Sequence, residues 1–129
     1  MSMKKQVISM IREANNKQLD DAFSEFIQYC QIKNLSEYTI DFYKRYYKQF
    51  KTFVDGNNLT YTQDINKTLF NQFILHLKTY LSNAISINSC IRGVRAFLYY
   101  CMKLEYIKEF KIEVIKAEKK LRKHILMQN

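Results

Sequence analysis

An all-α bundle of four helices is the fold class this sequence predicts, and three observations predict it. The 129 residues contain no Pro and only two Gly, too few turn formers for a sheet-rich fold. Apolar residues recur at spacings of three and four in separate segments, the period of a helix with one buried face. Capping residues or turn clusters stand at the segment ends. Hydrophobic content of 47% with 26% charged residues gives a core to one domain and separates the chain from disordered polyelectrolytes.

Residues 1–17 form an N-terminal extension with a few apolar positions (Val7, Ile8, Met10, Ile11), readable as a short helix or as a loose segment. From Gln18 to Lys33, the residues Leu19, Phe23, Phe26, Ile27 and Cys30 make one apolar stripe, with Asp20 and Asp21 in the first turn, where the helix dipole favours anions. Asn34 ends that helix. Ser36 caps the second, whose Ile40, Tyr43, Tyr47, Phe50 and Val54 share a side until Asp55-Gly-Asn-Asn58 closes it. Leu59 to Ile65 reads as a loop with Ile65 pinned in the core. Asn66 caps a third helix over 67–80, the most buried, with Leu69, Phe70, Phe73, Ile74 and Leu77. Ser82-Asn83 marks a break, and Ser86 caps a fourth helix over 87–104 with the stripe Ile87, Ile91, Val94, Leu98 and Cys101. After Leu104 charges of both signs alternate with Ile107, Phe110, Ile112, Val114, Ile115 and Leu121. That stretch predicts a fifth helix or an extended connector whose apolar residues meet something outside the four helices.

Lys and Arg outnumber Asp and Glu by 21 to 12, a net charge of +9 that favours phosphate backbones or anionic surfaces. Two constellations focus it. On the second helix Lys44, Arg45, Lys48 and Lys51 interleave with Tyr46 and Tyr47, about one turn apart and suited to successive phosphates. Asp41 stands four residues before Arg45, at ion-pair spacing, either neutralising or orienting it. On the fourth helix Asn88, Arg92, Arg95 and Tyr99 share a stripe with Ser89 and Lys103 nearby. Arg offers a planar fork to guanine or phosphate, and Asn can pair with adenine. Gly93 between the arginines costs about 1 kcal/mol of helix propensity, which implies close approach by a neighbouring helix or by a ligand backbone.

Other chemistries find no support. His76 and His124 are isolated, no Cys or His stands at metal-ligand spacing, and two glycines make no phosphate loop. No catalytic residue, metal or cofactor is therefore expected. Cys30, Cys90 and Cys101 read as reduced core residues of a cytoplasmic protein. The latter pair would lie about 16 Å apart along one helix, beyond disulfide reach. No apolar run reaches membrane-spanning length, and Met-Ser-Met-Lys-Lys is not followed by the apolar core of an export signal.

The order of these features resembles the core-binding domain of tyrosine recombinases, the phage-integrase and Xer family. Phe23-x-x-Phe26-Ile27 opens the pattern. Leu35, Ser36, Thr39, Ile40 and Tyr43 enter the second helix, Phe50 and Phe53 close it, and Asp64-Ile65 ends the next loop. Ser86, Ser89, Cys90, Ile91, Arg92, Val94, Arg95, Phe97 and Tyr100 follow, then Glu105-Tyr106-Ile107. The likeness covers roughly residues 19–112. It implies a SAM-like four-helix bundle with a C-terminal helical or extended connector, forming one half of a C-shaped clamp. Carried over by position, Ser36, Tyr38, Thr39, Phe42 and Arg45 with Ser86, Asn88, Ser89, Arg92 and Arg95 would face the major groove, and Lys44, Lys48 and Lys103 would add phosphate contacts. Glu37 and Asp41 depart from the neutral or basic residues common in relatives.

The expected organisation is an extension (1–17), a core-binding domain (18–107) and a connector (108–129) toward a catalytic domain outside this sequence. The expected function is sequence-tolerant binding of double-stranded DNA in recombination, without bond cleavage by this chain. The expected partners are DNA, the catalytic domain of the same parent chain and other recombinase protomers, with no membrane. The rival reading is a helical protein-interaction module with an incidental basic surface, supported by the unplaced apolar residues after Leu104.

Overall fold

Helices α1 (Leu19–Ile32), α2 (Glu37–Gly56), α3 (Lys67–Lys78) and α4 (Ala84–Lys103) follow in the expected order, with one 3-10 turn at Thr62–Asp64. The structure, a computed structural model, describes residues 17–117. No strand occurs among them; a single antiparallel bridge joins Gln18 to Tyr61. The expectations for residues 1–16 and 118–129 lie outside the described residues.

Each helix starts where a side chain can satisfy an otherwise orphan N–H, or where a backbone bridge does so. Ser36 Oγ accepts from the Thr39 N–H at 3.2 Å, and Asn66 Oδ1 accepts from Leu69 at 2.8 Å. At α1 the Leu19 N–H instead donates to the Thr60 carbonyl at 3.0 Å, tying the chain before α1 to the loop before α3. The start of α4 corrects the sequence reading. Asn83, not Ser86, is the cap, its Oδ1 accepting from the Ile85 N–H at 2.7 Å, and Ser86 stands exposed inside the first turn. Three helices end alike. Asn34, Asn58 and Glu105 take φ of 60°, 59° and 64°, and the next N–H in each case reaches back to a carbonyl in the helix's last turn. Asn tolerates this left-handed conformation; Glu has no such preference.

The core is aromatic. Phe97 on α4 meets Phe23 of α1 edge-on at 5.2 Å and Tyr47 of α2 at 5.3 Å, while Phe23 and Tyr47 stack at 3.8 Å. Phe50 of α2 meets Phe73 of α3 edge-on at 5.0 Å. The edge-on pairs suit the ring quadrupoles. The broadest contact between elements is that of α2 with α4. Ile65 is 1% exposed, so it is pinned as expected. The three cysteines are free and buried.

The segment after α4 corrects a second expectation. Residues 107–117 form no helix, in line with the extended alternative, and their large apolar side chains turn inward apart from the exposed Val114. Ile107 and Ile112 are 2% and 3% exposed and belong to the core, with Phe110 and Ile115 packed against it. The Ile112 N–H donates to Tyr99 Oη at 2.9 Å and the Ile115 N–H to Asn88 Oδ1 at 2.8 Å. The segment is a strap that turns back at Glu105 and runs along α4 toward that helix's beginning.

Candidate nucleic-acid interface

The strap decides which of the expected DNA-facing side chains are free. Asn88 is 6% exposed, and its amide is engaged at both ends: Nδ2 donates to the Ile115 carbonyl at 3.0 Å while Oδ1 takes the Ile115 N–H. It cannot read adenine in this conformation, which corrects the sequence assignment. Arg95 is half-buried, with Nη1 3.5 Å from the Ile112 carbonyl, and the Tyr99 hydroxyl also donates to that carbonyl at 3.2 Å. Three members of the stripe expected to meet a ligand thus bond the chain's own backbone. Arg92, on the same stripe, is exposed, as is Lys103.

On α2, Tyr38, Lys44, Arg45 and Lys48 are exposed. Lys51 is not part of this set. It bonds Asp55 at 2.6 Å and lies 3.7 Å from Asp20 of α1, so a carboxylate from another helix draws it off the free cationic face. Beside it Tyr47 donates a hydrogen bond to Asp20, and burial together with that bond pushes the phenol well above its ordinary pKa. The ion pairs among the described residues do not include Asp41 with Arg45. The Arg45 guanidinium lies instead 6.0 Å from the centre of the Tyr46 ring. The hydroxyls of Ser36 and Thr39 bond each other within the cap, Ser89 Oγ donates back to the Ile85 carbonyl at 3.1 Å, and Phe42 is half-buried edge-on to Tyr46.

Gly93 joins the two helices. A Cβ there would stand 2.9 Å from Cδ2 and 3.0 Å from Cβ of Tyr46. Only a residue without a side chain lets Tyr46 settle on α4. That seat joins α2 to α4, and each helix carries an exposed arginine next in sequence to the contact, Arg45 on α2 and Arg92 on α4. Gly93→Ala should recover about 1 kcal/mol of helix propensity but overpack by about 1–3 kcal/mol. Because Tyr46 Cβ is anchored to the α2 backbone, the overpacking should win. A lowered urea midpoint checks this, and a raised midpoint would show that α2 shifts freely.

No cluster of three or more His, Cys, Asp or Glu suited to a metal ion occurs among the described residues. Burial pushes the Cys90 and Cys101 thiols up to about 12, leaving them protonated and unreactive at neutral pH. A cleft of about 540 Å³ between the end of α4 and the strap is lined by Tyr99, Met102, Lys103, Glu109, Phe110 and Lys111. Of these, Lys111 pairs with Glu113 at 3.3 Å.

The family model for the phage integrase SAM-like domain matches residues 11–121. The chain belongs to that family. The match runs through α1–α4 and the whole described strap, so the strap lies inside the SAM-like domain as the family model draws it. Two proteins named tyrosine recombinase XerD, from two strains of Staphylococcus epidermidis, are each 26% identical over 107 residues, covering 80% of this chain and 36% of their own length. The SAM-like domain chain therefore spans about a third of the length of the curated relatives it matches. No solved structure matches it. None of the described helices is long and apolar enough to cross a membrane.

Proposed function

We propose that this SAM-like domain grips duplex DNA for a parent tyrosine recombinase, and that bond breakage belongs to a catalytic domain elsewhere in that parent. The carrying observation is that α2 and α4, joined at the Tyr46–Gly93 seat, both carry exposed cations: Lys44, Arg45 and Lys48 on α2, Arg92 and Lys103 on α4. These long cationic side chains suit phosphate contact, whereas the groups best suited to base edges are occupied by the strap. The grip is thus mainly electrostatic and tolerant of sequence. Tyr38, 80% exposed near the start of α2, is the best-placed side chain to add a stacking or hydroxyl contact. Asn88 is withdrawn from the proposed contact set, and Arg95 contributes charge from behind the strap.

If Lys44, Arg45, Lys48, Arg92 and Lys103 reach phosphates, log affinity for a random duplex should fall with log salt at a slope of about −4 to −5. Fluorescence anisotropy across a salt series reads it directly. A flat response would remove the reading. The rival interaction-module reading is weakened, because Ile107 and Ile112, two of the apolar residues said to seek a partner, are buried by this chain itself, while Val114 stays exposed.

A further inference from the structure

The strap is held in an unusual way. It has no helix or sheet of its own, yet side chains fix its backbone at two points, and the residue before it is tied to α1 through its own side chain. At its start, Tyr106 Oη donates to Glu25 Oε1 of α1 at 2.7 Å. Lys17 pairs with the same carboxylate and, with help from Tyr106, holds it below the ordinary carboxylate pKa. In its middle, the Tyr99 hydroxyl accepts from the Ile112 N–H and donates to the Ile112 carbonyl. At its end, the Asn88 amide does the same for Ile115. A side-chain amide and a hydroxyl thus stand in for the neighbouring strand that an extended segment ordinarily needs. Between the two catches the N–H groups of Glu113 and Val114 have no backbone partner among the described residues.

We propose that residues 107–117 are a latch that fixes the course of the chain after α4, with Asn88 and Tyr99 as its catches. Without it, the chain would depart from the end of α4 at Leu104. With it, the chain is carried back along α4 by about three helical turns, about 16 Å between the two catches. At the second catch Ile115 is fixed on Asn88, one turn from the exposed Arg92. The chain beyond Ile115 is therefore directed from a fixed position beside the cationic part of α4. The catches recognise only backbone N–H and C=O, so the exposed residues Glu113 and Lys116 are free to vary while Ile112 and Ile115 set the register. The latch does not depend on the DNA reading.

Amide hydrogen exchange on the full chain tests the latch. Ile112 and Ile115 should exchange at least about tenfold more slowly than Glu113 and Val114. Tyr99→Phe keeps the ring but removes the middle catch, and it should deprotect Ile112 and Ile115 together while Phe73 and Leu98 in the core stay protected. Asn88→Ala should do the same from the other end. Equal exchange across 112–115 in the parent, or full protection of Ile115 in Tyr99→Phe, would overturn the proposal. A second reading avoids reliance on the variants. Spin labels at Asn71→Cys and Ala117→Cys, both exposed positions, with the native cysteines buried and unreactive, should give one narrow distance distribution in the latched protein. A broad distribution would show a course that is not fixed.

Discussion

A chain ended at Tyr106 is expected to lose about 3–6 kcal/mol of folding stability. Each of the buried side chains Ile107 and Ile112 contributes about 1.5–3 kcal/mol on leaving water, and both depart with the strap. The sum is an upper estimate, because the unfolded chain already hides part of this surface. It is still a large share of the about 5–15 kcal/mol that holds a domain of this size together. A loss of about 3 kcal/mol corresponds to a drop of about 12 °C in melting temperature, and dye binding should report the apolar face of α4 laid open. Asn88 and Tyr99 would become solvated rather than stranded, so apolar exposure alone sets the size of the effect. Calorimetry on the two chains decides it: unchanged melting would mean that the strap merely rests on the bundle.

The second large effect is expected at Phe97. Its ring is 1% exposed and touches α1 through Phe23 and Phe26 and α2 through Tyr47. Phe97→Ala should cost about 3–5 kcal/mol, as deletion of a buried ring removes its transfer energy and leaves a cavity. The surrounding rings are stacked and edge-packed and have little room to collapse into the gap. Phe97→Leu, which restores most of the volume, should cost less than about 1.5 kcal/mol. Urea denaturation of both variants checks the pair. A cost for Phe97→Ala no larger than that for Phe97→Leu would mean that α1, α2 and α4 repack without the ring.

What the sequence made legible was local. The 3.6-residue period located α1 to α4, and Ser36 and Asn66 announced their caps because each needs only a neighbour three residues on. The start of α4 was misplaced because two polar residues compete within one turn, and Ser86 lost to Asn83, which lies just before Ala84 continues the helix. The errors at the candidate site have a different origin. Asn88 lies on the same helical stripe as Arg95, but its amide is claimed by Ile115, distant in sequence and in a segment without periodicity. Lys51 looks like its neighbours Lys48 and Lys44 until Asp20 of α1 is brought beside it. Glu105 adopts a left-handed turn for which its side chain gives no signal, so the reversal that creates the strap was invisible. Arg92 and Gly93 were readable, since an isolated glycine between two scarce arginines already implied a close approach. The structure names the approaching group as Tyr46.

In the proposed grip, Arg45 and Arg92 form the cationic centre of a DNA-binding face that the strap leaves open. A short random-sequence duplex titrated into the isotope-labelled chain at low salt tests it most directly by nuclear magnetic resonance. Lys44, Arg45, Lys48, Ser89 and Arg92 should shift first, Lys67 and Lys78 of α3 should stay in place, and Ile112 and Ile115 should keep their protection. Largest shifts on α3, or an unchanged spectrum in the presence of excess duplex, would contradict it.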